Sequence, residues 1–432
     1  MNSSLRPVGP ASLLRRLLAA LTVVAALACS PGGSVDLPEE GAEILWDEYG
    51  VPHIYAADHA SLFRAYGWAQ MQSHGPRLLR LVATARGRAS EYFGERHLRS
   101  DRWVHTVGIP RRAERWLAAQ DSTMRRYVGA FVAGMNAWAE DHPGEMGTAV
   151  RRVLPVRPED VMAVIQNQVH FTFMIQPGVV PSLERSWTPG SVVASASGTG
   201  GGPGRDRAGR LPQRAHLASN AWAVSPARSA SGNAMLLANP HLPWGGRFTW
   251  YEAHLVAPGV DASGVSLLGQ PLLGIGFNDE LGWTHTVNTH DGVDLYELEL
   301  AGGGYRWDGG VRAFDVRVDT LLVREENGEM REETVTVRRS VHGPVLVRRG
   351  GHAVAMRVAG LEEPELFRQY WDMIRADDLS EFEDALRRLQ MPMFTVMYAD
   401  RDGHILHLFG GRTPDRPAGD WNWRRIVPGD TS

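Results

Sequence analysis

The chain has 432 residues, 43% of them hydrophobic and 22% charged, with a formal net charge of −4. That is enough apolar material for one large core or two ordinary ones, and the charge balance gives no electrostatic ground for a nucleic-acid partner. Its single cysteine, Cys29, excludes an internal disulfide, so the fold must rest on burial alone.

Residues 1–29 have the layout of an export signal. Arg6, Arg15 and Arg16 form a basic region. Leu17 to Ala28 carries no charge and is too short to span a bilayer, and Ala26-Leu27-Ala28 supplies small residues around a cleavage site. Cys29 follows directly. The segment resembles a bacterial lipoprotein box, with Ala26 where leucine is usual, so lipidation at Cys29 is expected. The alternative is plain cleavage after Ala28. Residues 30–40 read as a tether.

Ile44 to Trp46 and Val51 to Tyr55 read as two strands around a turn at Asp47 to Gly50. A helix is expected from about His59, with Leu62, Tyr66, Ala69 and Met71 on its apolar face. Trp116 to Trp138 reads as a second helical run, closed by Pro143-Gly144. A third is expected from Pro158 to about Phe173. Proline suits its first position, and Glu159 and Asp160 suit the positive end of its dipole. Residues 188–218 change character. They contain Gly-Thr-Gly-Gly-Gly-Pro-Gly and few apolar residues, too few to offset the entropy of ordering them. They read as a flexible linker or as a spacer removed during maturation. From Asn220 onward short strands alternate with turns, from Trp222–Val224 to a hairpin of Phe394–Tyr398 and His404–Phe409, with one helix at Leu379–Leu389.

An amide hydrolase needs a nucleophile, a base that works near neutral pH and an oxyanion hole. The chain has no Gly-x-Ser-x-Gly elbow, no His-Glu-x-x-His helix and no second cysteine. What stands out is a serine at the junction of spacer and strand. A cut between Ala218 and Ser219 gives Ser219 a free α-amine. Such an amine has an unperturbed pKa of about 7.7–8.0 and serves as a base at working pH. One residue then supplies both nucleophile and base.

Several segments recur in a telling order. Tyr49-Gly50-Val51-Pro52-His53-Ile54-Tyr55 is followed by Ala69-Gln70 and by Arg86 to Gly94. Ser219-Asn220-Ala221-Trp222, Asn239-Pro240-His241, Gly282 to Val287 and Asp291 to Asp294 come next. His342-Gly343-Pro344-Val345 and Ala399 to Ile405 close the set. Together, with a polar spacer directly before Ser219, they resemble the penicillin acylase family of N-terminal-nucleophile hydrolases. The similarity runs from about Ile44 to the last residue. His241 points to the branch of cephalosporin, acyl-homoserine-lactone and cyclic-lipopeptide acylases.

The resemblance implies an α+β fold, an αββα sandwich with a helical N-terminal half and a β-rich C-terminal half. It implies two chains cut from one precursor: residues 30–187 as the helical chain, 188–218 as the removed spacer, and 219–432 as the first part of the second chain. It implies an exported enzyme that hydrolyses an acylated amine through an acyl-enzyme on Ser219. His241 would orient the Ser219 amine or hydroxyl, and the Val287 N–H would be one oxyanion donor. Asp291, the Val293 carbonyl and Asp294 would supply part of a structural calcium site, with Glu184 a loose further candidate. No organic cofactor is expected. The expected location is the bacterial periplasm or outer membrane, through a lipid anchor at Cys29. Ala218 departs from the glycine usual before the nucleophile. The family's second oxyanion donor, an asparagine, and much of the second chain are expected beyond Ser432. The competing expectation is a catalytically silent exported lipoprotein or binding protein, or a gene fragment of an acylase.

Overall fold

The computed structural model describes residues 36–190, 218–417 and 421–430. The expected export signal, Cys29 and nearly all of the expected spacer lie outside the described residues. Strands β1 (Ala42–Trp46) and β2 (Pro52–Ala56) pair around the expected turn, where Asp47 Oδ1 accepts from the Tyr49 and Val51 N–H groups. Helix α1 (His59–Ala85) starts at Asp58, whose carboxylate accepts from the Ala60 and Ser61 N–H groups. It kinks at His74, just before Pro76, which has no N–H to give the preceding turn.

The expected helix over Trp116–Trp138 is two helices, α4 (Ile109–Ala119) and α5 (Ser122–Asp141), preceded by the short α2 (Ala89–Phe93) and α3 (Leu98–Val107). The break is chemical. Gln120 is extended, and Asp121 caps α5 by accepting from the Met124 N–H. Helices α1 and α5 cross at close range through glycines. A Cβ on Gly67 would collide with the Phe131 carbonyl, and one on Gly134 with the Arg64 carbonyl. After the single turn α6 (Thr148–Arg151), α7 (Pro158–Gln168) runs on as a π-helix over Val169–Met174, broken at Phe171. The described part of the helical half closes with α8 (Val179–Ser186).

The second half is built of β3 (Ala218–Val224), β4 (Met235–His241), β5 (Trp250–Ala257), β6 (Val260–Leu267), β7 (Ile275–Asn278), β8 (Leu281–Thr286) and β9 (Val293–Ala301). It continues with β10 (Gly304–Trp307), β11 (Gly310–Arg312), β12 (Asp315–Arg324), β13 (Met330–Ser340), β14 (Gly343–Arg349) and β15 (His352–Val358). Helices α9 (Leu366–Ile374) and α10 (Leu379–Leu386) then lead to β16 (Met393–Asp400), β17 (Ile405–Gly411) and β18 (Ile426–Pro428).

Strands of both halves share one eight-stranded sheet in the order β1-β2-β5-β6-β7-β8-β16-β17. Its only parallel step joins β2 to β5, with His53 opposite His254. A second sheet runs β11-β10-β9-β15-β14-β13-β12, with β18 parallel to β9. Strands β3 and β4 form a separate antiparallel pair that packs over β8 and β16. The layer order is visible at β8. Gly282 leaves room for Leu236 of the β3–β4 hairpin, while Trp283 meets Phe382 of α10. Helix, sheet and hairpin therefore stack as successive layers, and the fold is of the α+β, N-terminal-nucleophile type. The main core spans both halves, with Tyr66, Phe131, Trp138, Phe171, Trp283, Phe367 and Tyr398 fully buried. The outward face of the hairpin exposes Trp222, Met235 and Leu237.

Burial also sets a pH dependence. His170 and His342 are buried, and the loss of water pushes their imidazoles down to about 3 and about 4. The unfolded rings bind protons near pH 6.5, and the folded ones do so only at much lower pH. Below about pH 6.5 the unfolded state therefore takes up more protons. Stability should be intact above that pH and fall as pH drops towards 4, by roughly 1 kcal/mol or more per pH unit for each ring. A melting temperature that stays level between pH 7 and pH 5 would contradict this.

Candidate active site

Residues 218–224 form a strand whose side chains alternate between the sheet and solvent. Ser219, Ala221 and Ala223 turn towards the sheet below, and Ala218, Asn220 and Trp222 turn to solvent. The Ser219 hydroxyl donates to the Ala218 carbonyl oxygen at 2.6 Å. The candidate nucleophile thus lies against the carbonyl group of the bond expected to be cut.

Ser219 lies on the wall of a partly open cavity. The walls come from both halves. The stretch from α7 into the π-helix contributes Ile165, Val169 and Phe173. The strand-rich half contributes Leu242, Trp250, Leu267, Leu272, Ile275, Leu366, Phe367, Met391 and Phe394. Val287, the expected oxyanion donor, lines the same cavity, one residue past the end of β8. The structure therefore brings Ser219 and Val287 to one site.

Few polar groups interrupt the apolar lining. The Tyr370 hydroxyl meets His285 Nε2 at 3.1 Å and Met391 Sδ at 3.3 Å. Desolvation pushes the His285 imidazole down to about 4, so the ring is neutral at neutral pH. Gln270 donates from Nε2 to Gln168 Oε1 at 2.8 Å, while Gln70 and Gln168 bond to backbone atoms of residues 268–270. These amides tie the cavity wall to both halves. The Tyr370–His285 pair escaped sequence reasoning because α9 was not expected. The apolar spacing of Leu366, Phe367, Tyr370 and Ile374 was the available signal.

His241 does not face the Ser219 hydroxyl. In the register of β3 and β4, His241 lies opposite Ala218, and Ser219 lies opposite Pro240. Opposite residues share a face, so His241 belongs with Ala218 on the solvent side. It is exposed there. Its place is beside Ala218 and the bond expected to be cut, not beside the Ser219 hydroxyl.

The expected calcium ligands have another partner. Asp294 is fully buried at the start of β9, and Arg416 Nη2 donates to its Oδ1 at 2.7 Å. The same Nη2 reaches the Asp291 carbonyl at 2.9 Å and Asp291 Oδ2 at 3.2 Å. Glu184 is exposed on α8, where its carbonyl accepts from Arg349. No cluster of three or more metal-ligating side chains occurs among the described residues. As placed, Asp291 and Asp294 hold a guanidinium and do not fit the calcium expectation.

Ser219 therefore lies at a strand start against its own preceding carbonyl, beside an apolar cavity whose wall includes Val287, on an N-terminal-nucleophile fold. Residues 41–432 match the family model for penicillin amidase, and the chain belongs to that family of amide-cleaving hydrolases. It is 29% identical over 397 residues to the acyl-homoserine lactone acylase PvdQ of Pseudomonas syringae pv. syringae, covering 85% of this chain and 50% of that protein. It is 28% identical over 433 residues to aculeacin-A acylase of Actinoplanes utahensis, covering 91% and 53%. Among solved structures, a thermostable penicillin G acylase from Alcaligenes faecalis is similar at 25% identity and a TM-score of 0.44, covering 49% of this chain and 38% of that one. The chain spans about half the length of the curated relatives it matches.

Proposed function

We propose that this chain carries the nucleophile of an exported, self-processing amidohydrolase that releases an apolar acyl group from an acylated amine. The observation that carries the reading is the position of Ser219, with its hydroxyl 2.6 Å from the Ala218 carbonyl oxygen and its side at an apolar cavity. In maturation the Ser219 Oγ attacks the Ala218 carbonyl carbon. The C–N bond breaks, the nitrogen becomes the Ser219 α-amine, and water hydrolyses the resulting ester. The spacer stays attached to the helical half until a second peptide bond near residue 187 is hydrolysed, and the two halves remain joined through the shared sheet and core.

In turnover the amine takes the Ser219 hydroxyl proton, directly or through one water. Oγ attacks the substrate carbonyl, and the Val287 N–H stabilises the oxyanion. The proton passes to the leaving amine, which departs and leaves an acyl-serine. A water activated by the same α-amine releases the acid. The aliphatic and aromatic lining suits a flexible hydrocarbon acyl chain, each buried CH₂ of which contributes about 0.8 kcal/mol. The names of the two acylases are consistent with acylated-amine substrates. Export and a lipid anchor at Cys29 are part of the same proposal and rest on the sequence layout alone.

The test is direct. Intact mass and N-terminal sequencing of the purified protein should show a chain beginning at Ser219. Acyl amides of increasing chain length should then show kcat/KM rising with each added CH₂ until the cavity is filled. A chain that stays joined at Ala218–Ser219, or kcat/KM indifferent to chain length, would sink the reading. For His241, replacement by alanine should lower kcat by about 10²-fold with little change in melting temperature, because its place beside the released amine suits it to tune that base. An unchanged kcat would make it a surface residue.

A further inference from the structure

The resemblance expects a cation among Asp291, the Val293 carbonyl and Asp294, and this chain places a guanidinium against both aspartates. We propose that Arg416 is the permanent cation of this site and fixes the oxyanion-donor segment in place of a bound calcium ion.

The geometry is that of a built ion pair. Nε of Arg416 lies 3.2 and 3.3 Å from the two carboxylate oxygens of Asp294, and Nη2 lies 2.7 Å from Oδ1. Nη2 also reaches the backbone oxygen of Asp291 at 2.9 Å and its carboxylate at 3.2 Å. The guanidinium lies 5.3 Å from the ring centre of Trp423, which supports it on another side. Calcium requires six to eight oxygens at about 2.3–2.6 Å. Here the candidate oxygens are turned to a planar fork of N–H donors, and the two cations cannot share them. Asp294 is fully buried, and Arg416, with Arg357 opposite it on β15 as a weaker second charge, supports its ionised form.

The position explains what the pair does. Val287 immediately precedes a connection, residues 288–292, that leads into β9. This connection is laced to the end of β17 and to the segment after it. The Asn288 side chain donates to the Gly410 carbonyl at 2.6 Å, and His290 Nε2 lies 2.7 Å from the Thr413 hydroxyl. Arg416 closes the far end of the lacing at Asp291 and Asp294. It touches no reacting atom and is a positioning residue for the Val287 N–H.

The test reads stability and metal response, neither of which needs turnover at Ser219, so its failure is separate from a failure of the acylase reading. Wild-type protein should melt within about 1 °C in EDTA and in millimolar calcium. Arg416→Ala should melt on the order of 5 °C lower or more, because Asp294 is left buried and unpaired, and calcium should return part of that loss. Arg416→Lys should fall between the two, since an ammonium restores the charge but not the fork. For a positioning role, Arg416→Lys should lower kcat for an acyl amide and leave KM near its wild-type value. A wild-type protein that loses stability in EDTA and regains it in calcium would overturn the proposal. So would an Arg416→Ala protein with unchanged melting and no calcium response, or an Arg416→Lys protein with unchanged kcat. If Arg416→Ala does not fold, the wild-type titration and Arg416→Lys decide.

Discussion

Ser219→Ala should leave the chain uncut at residue 218 and lower amide turnover by at least about 10⁴-fold. The two losses have one cause. Alanine at 219 has no oxygen to attack the Ala218 carbonyl, so no α-amine is released. The base is therefore missing as well as the nucleophile. The folded structure should survive, since Ser219 is only partly buried and, among the described residues, its hydroxyl bonds to the neighbouring carbonyl. Ser219→Cys separates the two roles. A thiol can still attack the carbonyl, so cutting should persist at a reduced rate while turnover reports the change of nucleophile. The readouts are intact mass after purification and release of acid from an acyl amide. Cutting at this bond in the alanine protein would mean that another group or a protease does the work.

Much of this was legible because the signals were local. The spacer's composition, the strand after it and the order of the short motifs marked Ser219, and Val287 followed from the same resemblance. The two strands around Asp47 to Gly50 and the helix from His59 also follow from local turn and cap chemistry. What escaped was set by partners far away in the chain. Gln120 and Asp121 break a run whose apolar spacing continues across them. His241 and Ser219 are joined by register, which no single strand reveals, and the pairing turns their side chains to opposite faces. Arg416 lies more than a hundred residues from the aspartates it neutralises, in a stretch without regular structure. The local sequence around Asp291 and Asp294 therefore does not show the guanidinium that faces them.

The same kind of distant pairing governs the cavity wall and makes Arg86→Ala the stability change with the largest expected effect. Arg86 follows the last turn of α1. Its Nε and Nη2 bind the Asp160 carboxylate at 2.7 and 2.6 Å, and Nη2 also donates to the Pro155 carbonyl at 2.7 Å. Asp160 lies in the first turn of α7, where it also accepts from the Arg157 N–H at 2.6 Å. Both side chains are nearly out of water, at 11% and 4% exposure. Removing the arginine strands a buried carboxylate and frees the carbonyls that guide the chain into α7. Breaking such a pair costs about 3–5 kcal/mol. Arg88→Ala is the control. Its pair with Glu91 is nearly half exposed on the arginine side, so its loss should cost less than about 1 kcal/mol. Because α7 leads into the π-helix and together they carry Ile165, Val169 and Phe173 to the cavity, Arg86→Ala should also raise KM for long-chain acyl amides more than for short ones. Adding Asp160→Leu to Arg86→Met should recover part of the stability, since no charge is then left buried without a partner. Denaturant unfolding of the four proteins checks the ranking. Equal midpoints for Arg86→Ala and Arg88→Ala would show that the clamp does not hold α7 in place.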